Sequence, residues 1–462
     1  MMKQYLLSLM ALAAPVAAIE APAPFQNNDN IIFIGDSITH GGSYHKQVYL
    51  YYATRYPELN LSYVNAGISG DTAPGTLKRY SEDIQVHNAN KAFIMLGMND
   101  VNRPHYDKLP QTAAERSKRR AQQAKSLHNY LSAMDTLISK LKADGVEVGL
   151  ILPSIYDETA TLAKPINVGA NLELGVYSYS LLQLAQQHDL SVVDFYNPMS
   201  ALNAKLQQND PEATLVSNDR VHPEQDGHFV MAYEFIKQTL PQGKVANINI
   251  DLSAQTINSD GDCELNSKGS SSDKISFSCT LTALPFPSHN GIKRALEWTS
   301  FNQDYNQLPL TVKGLTQGQY QLSIDGNKVA SFSSSELENS VNLSAFAHTP
   351  MYQQALEVRR LNDKRAQLAG TLRSIALVQH TMVDNPDCIP ADNTLSIDKA
   401  LHQCLQKSID KPWYGYLSSE VNKYNEFNPK KQSIRAQIND LFEQINRVNK
   451  PKQHSYALTR KP

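Results

Sequence analysis

Ser37, Asp219 and His222 are residue types that together can turn a hydroxyl into a nucleophile. Ser37 closes the segment Gly35-Asp36-Ser37, directly after the apolar run Ile31-Ile32-Phe33-Ile34. A serine at the end of a buried-type strand is presented at the carboxyl edge of a sheet, where open α/β sheets bind ligands. Asp219-Arg220-Val221-His222 lies far downstream. One short turn there supplies a base, His222, and the carboxylate that orients it, Asp219. A serine hydroxyl is a weak nucleophile until such a base takes its proton, so Ser, Asp and His, in that order, read as the nucleophile, orienter and base of a triad.

Two intervening segments extend the pattern. Asn65-Ala66-Gly67-Ile68-Ser69-Gly70-Asp71-Thr72 follows the strand-like Leu61 to Val64, and Gly97-Met98-Asn99-Asp100 follows Ala92 to Leu96. Four such segments in this order resemble the SGNH hydrolases, also called the GDSL esterase/lipase family. The resemblance covers about residues 27–240, roughly half of the chain. It implies that Ser37 is the nucleophile, and that an oxyanion hole forms from the Ser37 and Gly70 backbone N–H groups and the Asn99 side-chain amide. An amide NH2 is a neutral donor suited to that task. It also implies the SGNH fold, a three-layer α/β/α flavodoxin-like domain with a central parallel sheet. Met98 departs from the family pattern, which often has Gly there, and is expected to narrow the cleft. The Gly-x-Ser-x-Gly elbow of α/β-hydrolases is absent around Ser37.

Neighbouring polar residues have structural readings. Ser37 alone would suit a helix N-cap. Asp36 is read as bonding loop N–H groups, Gly67 as permitting a turn, and Asp71 and Asp100 as loop carboxylates. His40, His45 and His105 receive no catalytic role, and His228 falls inside the helix after His222. No cofactor or metal is expected: no helix carries His-Glu-x-x-His, and a hydrolytic zinc site needs three protein ligands.

The elements that must position these residues alternate along the first half. Strand candidates are Ile31–Ile34, Leu61–Val64, Ala92–Leu96, Val146–Leu152 and Ser191–Phe195. Near-continuous apolar runs suit parallel strands buried on both faces. Leu127, Leu131, Met134, Ile138 and Leu141 keep helical spacing up to Gly145, and 172–188 and 227–239 also read as helices. The charged run from Arg116 to Lys125 is read as a solvated helix face.

The whole chain divides as a signal peptide over 1–18, a hydrolase domain over 26–242, a small β-rich region over 246–345 and a helical region over 346–450. In the β region, Asp325-Gly326-Asn327 makes a tight turn between strands. In the helical region, Ile434, Ile438, Leu441, Ile445 and Val448 form a stripe expected to pack onto its own chain rather than into a coiled coil. The last dozen residues, with Lys450, Lys452, Arg460 and Lys461, read as a disordered tail.

At 462 residues the chain exceeds one ordinary core. Hydrophobic content of 41%, charged content of 19% and a net charge of -2 give no sign of nucleic-acid binding. Lys3, the short apolar stretch Leu6 to Ala14 and Val16-Ala17-Ala18 form a targeting segment cleaved near Ala18. The stretch is too short for stable membrane insertion. Export, secreted or periplasmic, is therefore expected. Four cysteines agree with it, paired most simply as Cys263–Cys279 and Cys388–Cys404, although sequence does not settle the pairing.

The expected activity is hydrolysis of carboxylic esters through an acyl-enzyme, foremost removal of O-acetyl groups from carbohydrates. Partners are then acylated small molecules or polysaccharides; the oligomeric state is open. Two alternatives stand beside it: a lipase, lysophospholipase or thioesterase, and a glycan-binding protein with an inactive hydrolase half. Trp298 and the Trp413-Tyr414-Gly415-Tyr416 cluster could stack on sugar rings, but are read first as core aromatics.

Overall fold

The structure is a computed structural model describing residues 19–462, so the expected signal peptide, 1–18, lies outside the described residues. Five parallel strands form the first sheet: β1 (Asn30–Gly35), β2 (Ser62–Gly67), β3 (Lys91–Met95), β4 (Glu147–Leu152) and β5 (Ser191–Asp194). Their order is β2-β1-β3-β4-β5. The apolar run from Ile31 to Ile34 is fully buried, as a central parallel strand requires. Strand order reverses beside β1, so the carboxyl end of β1 is a topological switch point.

Helices cover both faces. α1 (Ser37–His40) and α2 (Ser43–Arg55) follow β1, α3 (Ala73–Lys78) follows β2, and α4 (Ala113–Ala143) follows β3. α5 (Ala170–His188) follows β4, and α6 (Tyr196–Gln207) and α7 (Gln225–Thr239) follow β5. α2 packs on α7 on one face, and α4 on α3 and α5 on the other. A Thr112–Glu115 capping box starts α4, and Gly145 just beyond it takes a left-handed φ of 78°. The charged stretch of α4 faces largely outward.

The remainder forms two sheets and a helical layer. Strands β6 (Ile248–Asp251), β7 (Thr256–Ser259), β8 (Asp262–Leu265) and β9 (Lys274–Thr280) come first. Helices α8 (Lys293–Trp298) and α9 (Phe301–Tyr305) follow, then β10 (Pro309–Lys313), β11 (Gln319–Ile324), β12 (Asn327–Ser333), α10 (Ser334–Glu338) and β13 (Val341–Asn342). The long α11 (Pro350–Val378), α12 (Ile397–Gln406), α13 (Tyr414–Phe427) and α14 (Lys431–Val448) complete the helices. Asp325 and Gly326 both take positive φ, as the tight β11–β12 turn demands. Both disulfides, Cys263–Cys279 and Cys388–Cys404, are present.

The C-terminus corrects the sequence reading. It is no disordered tail: β14 (Gln453–Arg460) is the central strand of the sheet β12-β11-β14-β9-β8. His454, Tyr456 and Leu458 alternate inward, which is the half-buried strand pattern.

The C-terminal helices are packed on the hydrolase. One buried cluster runs from Phe25 and the first sheet through Phe301 and Ile250 to Ile434, Ile438, Leu441, Ile445 and Tyr456. The α14 stripe thus packs within the chain, against α11. Arg365 of α11 lies between the rings of Tyr49 and Phe442, 4.8 and 4.9 Å from their centroids. Farther along α11, Arg373 grips Asp83 of the hydrolase with two bonds of 2.8 and 2.9 Å. Arg79 donates to the same carboxylate at 2.7 Å. All three groups are buried.

Burial pushes the Asp83 carboxyl up, but Arg373 and Arg79 overcome this and hold it well below the usual carboxylate range. A depressed folded-state pKa gives stability that is fully present above the unfolded value of about 4 and is lost as pH falls through the folded value. Asp83→Asn strands two buried guanidinium groups and should cost about 3–5 kcal/mol at neutral pH. Urea unfolding at pH 7 and pH 3 tests this: the variant should lose most at pH 7 and less at pH 3, where the carboxyl of the unfolded wild type has already taken up its proton. Coincident unfolding curves at pH 7 would refute the assignment.

Candidate active site

Ser37 is held by close backbone packing. Asp36 caps α1, its Oδ1 accepting from Ile38 N at 3.0 Å. A Cβ on Gly35 would lie 2.3 Å from Thr39 Oγ1 and 2.7 Å from Met95 O. A Cβ on Gly67 would lie 2.1 Å from His40 N. Both glycines let α1 seat against the ends of β2 and β3, which aims Ser37 out of the sheet edge. Burial, opposed mainly by the bond from Ile38, pushes the Asp36 carboxyl up to about 6.

His222 arrives from a position 185 residues later. Ser37 Oγ and His222 Nε2 are 2.7 Å apart, and His222 Nδ1 is 2.5 Å from Asp219 Oδ2. The other Asp219 oxygen accepts from Ser217 Oγ at 2.8 Å and from Val221 N and His222 N at 2.9 Å. Partial burial raises the Asp219 carboxyl, but these bonds, led by that to the imidazole, carry it well below the ordinary range. It therefore stays ionised, and His222 Nδ1–H donates to it.

The turn that carries this pair is built around Arg220, which sequence reading passed over. Arg220 has a φ of 70° and is only 1% exposed. Its Nε donates to Lys164 O at 2.8 Å, Nη1 to Asp157 O and Ala160 O at 3.0 Å, and Nη2 to Leu162 O at 3.2 Å. Its own carbonyl accepts from Asp157 N at 2.9 Å. Ser217 N donates to His222 O at 2.7 Å, closing the turn before Pro223.

Gly70 and Asn99 approach through the intervening residue. Asn99 Nδ2 donates to Asp71 O at 2.9 Å. Asp71 in turn pairs with Arg79 at 2.8 Å, the same arginine that reaches Asp83. Gly70 has a φ of 82°, while nothing lies within 4 Å of where its Cβ would be. Glycine is needed there for its left-handed backbone rather than for space. Gly67, by contrast, does not permit a turn: it ends β2 and is required by the contact with His40. Met98 is buried in the core instead of narrowing a cleft.

The other polar residues fall into support roles. Asp71 is a structural ion-pair partner, and Asp100 Oδ1 accepts from Ala73 N at 2.8 Å. Burial pushes the Asp100 carboxyl up to about 7. His40 Nδ1 accepts from Ser69 N at 3.1 Å, and burial holds its imidazole down to about 4. His45 stacks on Phe33, and His228 on Tyr44. Arg103, also unnoticed in the sequence, donates to Met98 O. The aromatic cluster corrects the core reading: Trp413 is 53% and Tyr416 43% exposed, and Tyr416 Oη donates to Ser69 Oγ at 3.0 Å.

Residues 33–229 match the GDSL-like Lipase/Acylhydrolase family model. The N-terminal half of the chain therefore carries a GDSL-like lipase/acylhydrolase domain. As such it is a serine ester hydrolase. An acetylxylan esterase from Geobacillus stearothermophilus is 28% identical over 229 residues, which is 46% of this chain and 94% of that protein. A solved structure described as BT4096, a gut microbial diltiazem-metabolizing enzyme, matches with a TM-score of 0.84 and 28% identity, covering 96% of this chain and all of the other. The C-terminal β and helical regions of this GDSL-like chain thus recur in that full-length neighbour, beyond the reach of the family model.

Gly67→Ala should displace α1, because the clashing atom is backbone. A shift of about 1 Å at the reacting atoms costs on the order of 100-fold in kcat. Steady-state hydrolysis of p-nitrophenyl acetate reads it; a wild-type rate would show that α1 does not depend on that contact. Arg220→Met should lower stability by about 3 kcal/mol, since four carbonyls, at Asp157, Ala160, Leu162 and Lys164, lose a charged donor, the first two of them buried. Thermal and urea unfolding measure the loss, and an unchanged midpoint would refute the anchor.

Proposed function

We propose that Ser37, His222 and Asp219 carry out ester hydrolysis through an acyl-enzyme, and that the enzyme is an exported esterase removing acetyl groups from carbohydrates or similar ring-bearing alcohols. The observation that carries this reading is the 2.7 Å approach of Ser37 Oγ to His222 Nε2, backed by the ionised Asp219. Ser37 Oγ attacks the ester carbonyl as His222 Nε2 takes its proton. Asp219 holds the imidazole in one tautomer and stabilises its protonated form. His222 then returns the proton to the departing alkoxide, and water repeats the sequence on the acyl-serine.

Ser37 N–H, Gly70 N–H and Asn99 Nδ2 are the proposed donors to the oxyanion. The bond from Asn99 to Asp71 O uses one N–H of the amide and fixes its plane. The second N–H is left for the developing charge. Such preorganised donors contribute most where charge appears only in the transition state.

Acetyl specificity is supported by the acetylxylan esterase relative. Diltiazem, named for the full-length neighbour, is itself an acetate ester, which makes it a second probe. Export is supported by the two disulfides and by the targeting-type N-terminus. No described helix is long and apolar enough to cross a membrane.

Ser37→Ala and His222→Ala should reduce p-nitrophenyl acetate hydrolysis to background, and Asn99→Ala should lower kcat by about 100-fold or more. Asp219→Asn should retain measurable turnover, because the aspartate orients and takes no part in bond making. Equal rates for wild type and Ser37→Ala would overturn the mechanism. Acetate release from acetylated xylooligosaccharides should exceed hydrolysis of octanoate and longer esters; the reverse preference would favour a lipase.

A further inference from the structure

We infer that the C-terminal helices build the leaving-alcohol subsite of this active site, with Trp413 as the surface on which a ring of the alcohol stacks. The inference rests on Ser37 being the nucleophile, as proposed above. A cavity of about 540 Å³ lies between the two halves of the chain. Ser69 and Gly70 border it from the hydrolase; Met382, Trp413, Tyr416 and Leu417 border it from the helical region. Gly70 is therefore shared between this cavity and the proposed oxyanion hole.

Size assigns the occupant. Pockets of 300–1,000 Å³ typically hold drug-sized ligands. A two-carbon acyl group fills a small part of such a space, so the larger part is left to the alcohol. Chemistry agrees. The wall is largely apolar, with the Cys388–Cys404 disulfide behind it and the Trp413 ring half open to solvent. Asn385 and Lys407 stand on the same wall as donors for hydroxyl or ether oxygens. An apolar face with a few polar groups suits a pyranose or an aryl-bearing alcohol.

The wall is fixed relative to the chemistry. Tyr416 Oη bonds Ser69 Oγ, one residue from Gly70, and Ile68 packs against Ala376 and Leu377 of α11. The Arg373–Asp83 pair holds α11 to the hydrolase. Met382, Trp413, Tyr416 and Leu417 lie beyond residue 229, outside the family model, yet the chain they belong to matches the full-length neighbour over 96% of its length. The subsite would then be a property of the longer chains and not of the hydrolase domain alone.

The test compares ethyl acetate, whose alcohol is too small to reach Trp413, with acetylated xylobiose and with diltiazem. Trp413→Ala should lower the ratio of kcat/KM for the ring-bearing ester to that for ethyl acetate by at least about ten-fold, and Trp413→Phe should restore most of it. Whether the sugar ester or the aryl ester loses more identifies the ring. An unchanged ratio for both overturns the subsite. A binding readout does not depend on turnover. The chain has two tryptophans, so Trp298→Phe leaves Trp413 as the only one. Titrating the Ser37→Ala/Trp298→Phe protein with each ring-bearing ester should give a saturable change in emission; silence with both also overturns the proposal. If wild type hydrolyses no ester, the serine-esterase mechanism fails, and the emission titration still judges the cavity by itself.

Discussion

A single buried guanidinium holds the Asp219–His222 end of this site in place. Removing Arg220 from water costs several kcal/mol before any compensation. Its left-handed backbone adds a cost on the order of 1 kcal/mol. Both are tolerated because the side chain meets carbonyls at residues 157, 160, 162 and 164, which ties the loop after β4 to the turn carrying Asp219 and His222. The bond geometry of the imidazole follows. Asp219 accepts from two N–H groups of its own turn, so the carboxylate cannot swing without breaking the turn. The proposed base is therefore positioned by backbone, with side-chain freedom largely removed before any substrate arrives.

The other end of the site depends on absence rather than presence of atoms. Gly35 and Gly67 have ordinary, negative-φ roles; their importance is that neither side can accommodate a Cβ. The helix with Ser37 is thus set by the spacing of three strands, and strand spacing in a parallel sheet is nearly invariant. Gly70 acts differently, through a backbone conformation that most residues avoid. Two of the three glycines are packing positions and one is a conformational position, a distinction with consequences for which substitutions disturb geometry and which disturb only local strain.

The sequence was informative where a pattern has one physical meaning. The apolar runs of β1 to β4 read correctly because strands buried on both faces leave little else for those residues to do. The spacing of Ile434, Ile438, Leu441 and Ile445 likewise described a helix face that packs within the chain. β14 was missed although His454, Tyr456 and Leu458 alternate correctly, because four basic residues around them suggest a solvated end. Arg220 gave no signal, since an arginine is ordinarily on the surface and only tertiary contacts reveal it as an anchor. Trp413 and Tyr416 were assigned to a core by their type. What distinguishes a wall from a core is whether another element closes over it, and that is decided by the packing of α11, α12 and α13.

The helical region is consequently part of the machinery that shapes the site, not a module carried on a linker. An appended binding module contributes by raising local substrate concentration and moves independently of the reacting groups. Here a polar path runs without interruption from Arg373 through Asp83, Arg79 and Asp71 to the amide of Asn99. An apolar contact of Ile68 with α11 and the Tyr416–Ser69 bond flank the same loop. Oxyanion donors act through preorganisation, so on the proposed role of Gly70 any element that fixes the loop bearing Gly70 and Asp71 bears on the barrier itself. Fixing that loop with the same helices that line the space proposed for the alcohol would make recognition of the leaving group and alignment of the proposed oxyanion site consequences of one packing arrangement.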